Sequence, residues 1–152
     1  ALRGENFNGN LFAKKAVECG AGCLMLDTLP ECALSVPIIL VKDTLNALQR
    51  LAKWYRDQLE VKVIGITGSN GKTSTKDFTR SVLSECFQVN ATKGNLNNHI
   101  GLPLSVLATE ETDEVCIFEM GMNHAGEIAP LCEIASPDLG IITNVGNAFQ
   151  ES

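Results

Sequence analysis

The stretch 61–75, VKVIGITGSNGKTST, leaves this chain few ways to fold. Val61, Val63, Ile64 and Ile66 make an apolar run of the length of a buried strand, and the run breaks at once into glycines, a lysine and hydroxyls. A helix is expected from Lys72. Between strand and helix, Gly68 and Gly71 let the backbone turn tightly and aim its N–H groups inward, where they and the helix N-terminus attract anions. Gly68, Ser69, Asn70, Gly71, Lys72, Thr73 and Ser74 thus form a candidate phosphate cradle. Lys72 brings a mobile positive charge for the outer phosphates, and Thr73 a hydroxyl placed for Mg²⁺. The string is a variant of G-x-x-x-x-G-K-[ST]: Ile66 stands five before Gly71, with glycines at 65 and 68 instead.

The remaining composition limits what such a cradle can serve. With 152 residues, 45% of them hydrophobic, the chain has a core for one domain or for parts of two. A net charge of −6 and a pI near 4.9 argue against a nucleic-acid or membrane surface, so a polyanionic ligand has to be held locally. The six cysteines, at 19, 23, 32, 86, 116 and 132, include no C-x-x-C pair and read as buried, reduced thiols of a cytoplasmic protein. No apolar run reaches the ~18 residues of a membrane span. The chain opens on Ala1-Leu2-Arg3, without methionine or leader, and is expected to be a piece of something longer.

Residues 1–10 are expected to be loop, with Phe7 and Leu11 anchoring it to a core. A helix over 12–19 ends at Gly20 as its C-cap, and strands follow over 22–26 and 38–41. Asp43 caps a helix over 44–59 whose Leu45, Leu48, Leu51, Ala52, Tyr55 and Leu59 share one face, with Trp54 and Tyr55 expected in core or domain-interface packing. A domain boundary is expected near Glu60. After the cradle, Phe78, Val82, Leu83 and Cys86 are expected to form the buried face of its helix, and a strand begins at Val89. The segment 92–101, TKGNLNNHIG, is a polar loop on the side where ligands bind, and His99 in it is either a ligand or a satisfied loop histidine. The buried strand 114–120 carries Glu119 near its C-terminal end, where a magnesium-supporting acid belongs in a sheet that also carries a P-loop. A turn over 121–126, a helix over 127–134 and a buried strand over 139–143 complete the pattern. The fold class is therefore α/β: a P-loop-containing, mostly parallel sheet with helices on both faces, preceded by part of a smaller α/β domain.

TGSNGKTSTKDFTRSVLSECFQVNATKGNLNNHIGLPLSVL, followed by FEMGMNHAGEIAPLCEIASPDLGIITNVG, resembles the Mur ligases of peptidoglycan synthesis. Within that family, NNHIGLPLSVL and EMGMNHAGEI look like the branch that joins D-Ala-D-Ala to UDP-MurNAc-tripeptide rather than the sister branch that adds one amino acid. ALRGENFNGNLFAKKAVECGAG resembles the later part of the family's first domain, which binds the uridine nucleotide. The resemblance implies residues 1–60 as part of that substrate domain and 61–152 as part of the ATP-binding domain of a cytoplasmic, monomeric, ATP- and Mg²⁺-dependent ligase. It implies an acyl-phosphate route, with Lys72 and Glu119 catalytic and Thr73 and Glu119 on the metal. By the same resemblance Asn123 and His124 lie close to the nucleotide, and Asn98 and His99 face the substrate.

Two departures stand out. The family's T-N-x-G-x-A-H-L-E has a metal-supporting histidine where Phe149 stands, and its D-G-H is Asn8-Gly9-Asn10 here. The fragment is expected to be inactive alone, and the alternative reading is a nucleotide-binding or interaction module without chemistry. An unrelated P-loop phosphotransferase fits least, because no D-x-x-G string follows Glu119.

Overall fold

The computed structural model describes residues 1–4 and 6–146. They fall into two compact units, divided between Leu48 and Gln49.

In the first unit, β1 (Arg3–Gly4) and β2 (Phe7–Asn8) form a minimal antiparallel pair, followed by a 3-10 turn over Gly9–Phe12 and helix α1 (Ala13–Glu18). Strands β3 (Leu24–Leu26) and β4 (Ile38–Leu40) run parallel. Gly20, at φ +95°, ends α1 as expected: the Ala21 N–H reaches Ala16 O at 3.0 Å and the Gly20 N–H reaches Val17 O at 2.9 Å, the double closure of a left-handed helix end. Ala13, Leu24 and Leu26 form the small core, with Val17, Val36 and Ile38 against it. The expected anchors are not in it. Phe7 is 56% and Leu11 79% exposed. Phe7 instead stacks on Phe12 with ring centroids 5.3 Å apart. The segment is held by polar contacts: Asp27 Oδ1 accepts from Arg3 Nη2 and from Asn10 Nδ2, both at 2.9 Å.

Helix α2 (Thr44–Arg56) starts as the sequence suggests, with Asp43 Oδ1 accepting from the N–H groups of Leu45 (2.8 Å) and Asn46 (2.9 Å). The compact units part inside this helix rather than near Glu60. The reason lies in its second half: Ala52 is fully buried in one cluster with Val61 and Val63, the Tyr55 hydroxyl donates to Thr109 O at 2.7 Å, and Arg56 Nε donates to Ala135 O at 3.0 Å. Trp54 does not share this packing and is 58% exposed.

The second unit holds β5 (Lys62–Thr67), α3 (Lys72–Leu83), β6 (Val89–Ala91), α4 (Gly101–Leu107), β7 (Val115–Glu119), α5 (Ile128–Ala135) and β8 (Leu139–Ile142). The four strands are all parallel, in the order β6-β7-β5-β8. One face, with Val63, Cys116 and Phe118, packs against Leu102, Val106, Leu131, Ile134 and Ala52 of α4, α5 and α2. The other, with Ile66, Val115 and Ile117, lies against Leu83 of α3. Central β7 is buried along its whole length, which explains its unbroken apolar sequence. Helices cover both faces, as expected. No helix among the described residues is long and apolar enough to cross a membrane.

Three expectations fail here for identifiable reasons. Phe78 and Val82 are 74% and 71% exposed and Cys86 is exposed, because α3 is rotated to bring Thr73 and Lys76 onto the strand ends. Strand β8 is exposed at Leu139 and Ile142, because among the described residues it pairs on one side only. Of the cysteines, Cys116 is buried and Cys132 half-buried, but Cys19, Cys23, Cys32 and Cys86 are exposed; all six are free thiols. All four stand outside the regular elements, Cys19 as the residue that caps the end of α1.

Asp138 ties the start of β8 to the start of β5. Its carboxylate accepts from the Val63 N–H at 2.8 Å and from Lys62 Nζ at 3.1 Å. These bonds, the backbone one foremost, hold its carboxyl below the usual carboxylate range. A depressed folded-state pKa stabilises the fold above the unfolded value, and that contribution disappears as pH falls through the folded value. The side chain is 40% exposed, so solvent screening keeps the effect small. Asp138→Asn should therefore lose on the order of 1 kcal/mol or less at pH 7, with the deficit closing at an acid pH below the ordinary carboxylate range. Urea unfolding at both pH values checks this, and an unchanged deficit in acid would contradict it.

Candidate functional site

Strand β5 delivers the chain to Gly68 at φ +138°, and Gly71 at φ +79° turns it into α3. Both conformations are ones a side chain disfavours, and a Cβ on Gly68 would run into the Thr143 hydroxyl and the Asn144 backbone. Lys72, Thr73 and Ser74 open α3, so their N–H groups belong to the first turn, which has no partners within the helix. Lys72 Nζ lies across the loop and donates to Gly68 O at 2.7 Å.

The chain after β8 closes one side of the loop. Ser69 N–H donates to Asn144 O (3.1 Å), Asn70 N–H to Asn144 Oδ1 (3.0 Å), and the Thr143 hydroxyl to Asn70 O (2.6 Å). Gly146 N–H donates to Ser69 Oγ at 3.0 Å. Sequence reasoning missed this closure, since nothing local to T-N-V-G marks it as a partner of residues so distant in the chain.

Glu119 ends β7 only 3% exposed. Its Oε2 accepts from the Thr73 hydroxyl at 2.9 Å, its Oε1 accepts from Asn97 Nδ2 at 2.8 Å, and its N–H donates to Thr92 Oγ1 at 3.0 Å. The fold thus brings together the two residues singled out for Mg²⁺. A hydroxyl and a carboxylate are hard oxygen donors of the kind Mg²⁺ takes, and the ion usually completes its shell with waters and phosphate oxygens. The donor set suits the ion. Asn97 was not singled out from the sequence; the asparagine-rich loop was visible, but which asparagine turns inward depends on its backbone path.

Beside Lys72 opens a cleft of about 410 Å³, lined by Asn97, Asn98, His99, Asn123 and Glu127 among others. Asn98 commits its Oδ1 to the N–H groups of Ile100 (3.0 Å) and Gly101 (2.8 Å), which starts α4 and leaves its amide N–H₂ for a ligand. Those two bonds, with Pro103 in the first turn, were the overlooked signal for α4. His99 is held through its carbonyl, which accepts from Gln49 Nε2 at 2.9 Å, and the residue is exposed. Asn123 and His124 donate their N–H groups to Glu127 Oε2 at 2.6 and 3.2 Å. These two bonds, Asn123's first, hold the Glu127 carboxyl below its ordinary range. Ser74 and His124 are exposed and do not line the cleft, so the structure groups them with the site by position alone. Phe149 lies outside the described residues.

Residues 66–149 match the family model described as the Mur ligase middle domain. The chain belongs to the Mur ligase family. The matched span contains the cradle, Glu119 and both loops that line the cleft. Over 151 residues and 99% of its length the chain is 48% identical to the UDP-N-acetylmuramoyl-tripeptide--D-alanyl-D-alanine ligase of Bacillus subtilis, and 38% identical to that of Escherichia coli, covering 33% of each. Among solved structures it is similar to the MurF ligase of Thermotoga maritima in complex with ADP, with a TM-score of 0.84 and 36% identity over 96–97% of the chain, as also to MurF from Acinetobacter baumannii at 0.89 and 35%. It covers 34% and 32% of those chains. The chain therefore spans about a third of the length of these Mur ligases.

Proposed function

We propose that this chain is the nucleotide-handling part of a ligase that uses ATP and Mg²⁺ to join D-Ala-D-Ala to UDP-MurNAc-tripeptide, in the cytoplasm and as a monomer. The observation that carries the reading is the Thr73–Glu119 contact at the mouth of the cradle, beside Lys72. The kinship supports the substrate pair, since two relatives bear that activity as their name. Residues 1–60 then carry the end of the uridine-nucleotide domain and 61–152 the ATP domain, with the second half of α2 packed into the compact unit of the latter, and neither a nucleic-acid nor a membrane partner enters.

A carboxylate is a poor acylating agent, so the terminal carboxylate of the tripeptide first takes the γ-phosphoryl group of ATP. The amine of D-Ala-D-Ala then attacks the acyl carbon and phosphate leaves, which forms the peptide bond. In this reading the N–H groups of Gly71, Lys72, Thr73 and Ser74 hold the phosphates, Gly68, Ser69 and Asn70 shape the loop around them through Thr143 and Asn144, and Lys72 leaves Gly68 O to offset charge on the transferred group. Thr73 Oγ1 and Glu119 would hold Mg²⁺, which when bound neutralises phosphate oxygens. Asn98 and His99 orient the acceptor, and Asn123 and His124 lie by the nucleotide.

The intact protein, incubated with ATP, Mg²⁺, UDP-MurNAc-tripeptide and D-Ala-D-Ala, should yield pentapeptide and phosphate in equal amounts. Omitting any one component should stop both. Turnover with UDP-MurNAc-dipeptide and a single amino acid instead would move the protein to the sister branch. Nucleotide binding without product under either condition would leave a binding module.

A further inference from the structure

Lys76 stands one turn after Thr73 on the same face of α3, and it is 5% exposed. Burying an ammonium is costly unless it is paired and hydrogen-bonded. Its Nζ donates to Thr92 O at 3.1 Å and lies 3.3 Å from Asp77 Oδ1. The Asp77 side chain is 61% exposed, so that pair is screened and the buried partner is the Thr92 carbonyl. A methionine would fill the same space without burying a charge. What the lysine adds is the bond to Thr92.

Thr92 is the hub of the arrangement. It is 2% exposed and follows directly on β6. Its N–H donates to Ile117 O at 3.0 Å and its Oγ1 accepts from the Glu119 N–H at 3.0 Å, so two bonds fix it to β7. Lys76 supplies the third, from α3. With Thr73 donating to Glu119 Oε2, the bonds close a ring from α3 through Thr92 to Glu119 and back to α3. Thr92 also opens the loop that leads to Asn97, the donor to Glu119 Oε1. Releasing Thr92 therefore disturbs both the backbone and the side chain of Glu119.

We infer that Lys76 is a positioning residue: through Thr92 it sets where the Glu119 carboxylate stands relative to the Thr73 hydroxyl. The inference rests on the reading of that pair as the one that handles Mg²⁺. The cradle N–H groups and Lys72 are not part of the ring, so the grip on phosphate itself is left alone. Loss of Lys76 should show only where the metal contributes.

The test is nucleotide binding by the intact protein, titrated with ADP in excess Mg²⁺ and again in EDTA. Lys76→Met should lose about 10-fold in affinity with Mg²⁺, as supporting residues behind metal ligands do, and less than about 2-fold in EDTA, because phosphate contacts persist. Thr92→Val, which keeps shape and carbonyl but removes the acceptor for the Glu119 N–H, should give the same split, and the double variant should lose no more than either single one. Equal losses in both media, no loss, or additive losses would overturn the inference. If Lys76→Met does not fold, Thr92→Val decides by the same split. A wild-type protein whose ADP affinity ignores Mg²⁺ would overturn the reading of the Thr73–Glu119 pair and this inference with it. A Mg²⁺-dependent wild type with unaffected variants would overturn the inference alone.

Discussion

Replacing Lys72 with alanine should cost at least about 100-fold in ATP or ADP affinity while the protein stays folded. Hydrogen bonds from an ammonium to phosphate are charge-assisted, about 1.5–3 kcal/mol each, and contacts to two phosphates make a factor of about 100 a lower bound. The folded state has little to lose. Lys72 makes one side-chain hydrogen bond, to Gly68 O on a partly exposed loop where water can take its place. The residue also opens α3, where a positive charge opposes the helix dipole and alanine is a good helix former. Thermal stability without nucleotide should therefore be equal or slightly higher, a sign that the lysine serves a ligand rather than the fold. Calorimetric titration with nucleotide, alongside a thermal melt, reads both quantities. Wild-type affinity in the variant would remove the basis for the cradle.

What could be read from the sequence was short-range chemistry. The glycine turn that leads into α3, the Asp43 cap and the Gly20 helix end depend on residues within a few positions of one another, and each stands where the string placed it. Glu119 was legible because the strand before it is apolar without a break, which fixes it at the end of a buried strand. The rotation of α3 was not. Phe78, Val82, Leu83 and Cys86 have good helical spacing, but the helix phase is set by hydrogen bonds of Thr73 and Lys76 to residues 46 and 16 positions away. Lys76 was overlooked for the same reason: a lysine reads as solvent-facing until a carbonyl is seen beneath it. Asn97 and the closure by Thr143 and Asn144 likewise depend on backbone paths that residue type does not encode. The expected domain boundary followed the end of the helical pattern, while the packing of Ala52, Tyr55 and Arg56 divides the helix itself.

Glu119→Gln should separate the metal from the phosphate. The carboxamide has nearly the carboxylate's volume, and both buried contacts can be kept. Asn97 presents an N–H₂, which needs the glutamine oxygen. The Thr73 hydroxyl now donates to Oε2 but can rotate to accept from the new N–H₂. Each contact becomes neutral rather than charge-assisted, so the melting temperature should fall only slightly. In Mg²⁺ the variant loses a charged oxygen facing the ion, worth about 1.5–3 kcal/mol, and nucleotide affinity should drop roughly 10- to 150-fold. In EDTA the sign should not follow. There the carboxylate only repels the polyphosphate, so removing its charge should leave affinity unchanged or improve it. Lys72→Ala, by contrast, should lose affinity in both media, because the ammonium meets phosphate whether or not the metal is bound. Titrations of the two variants with and without Mg²⁺ therefore give four values with opposite patterns. Equal losses for Glu119→Gln in both media would place its carboxylate away from the metal and leave Thr73 as the residue to test in its stead.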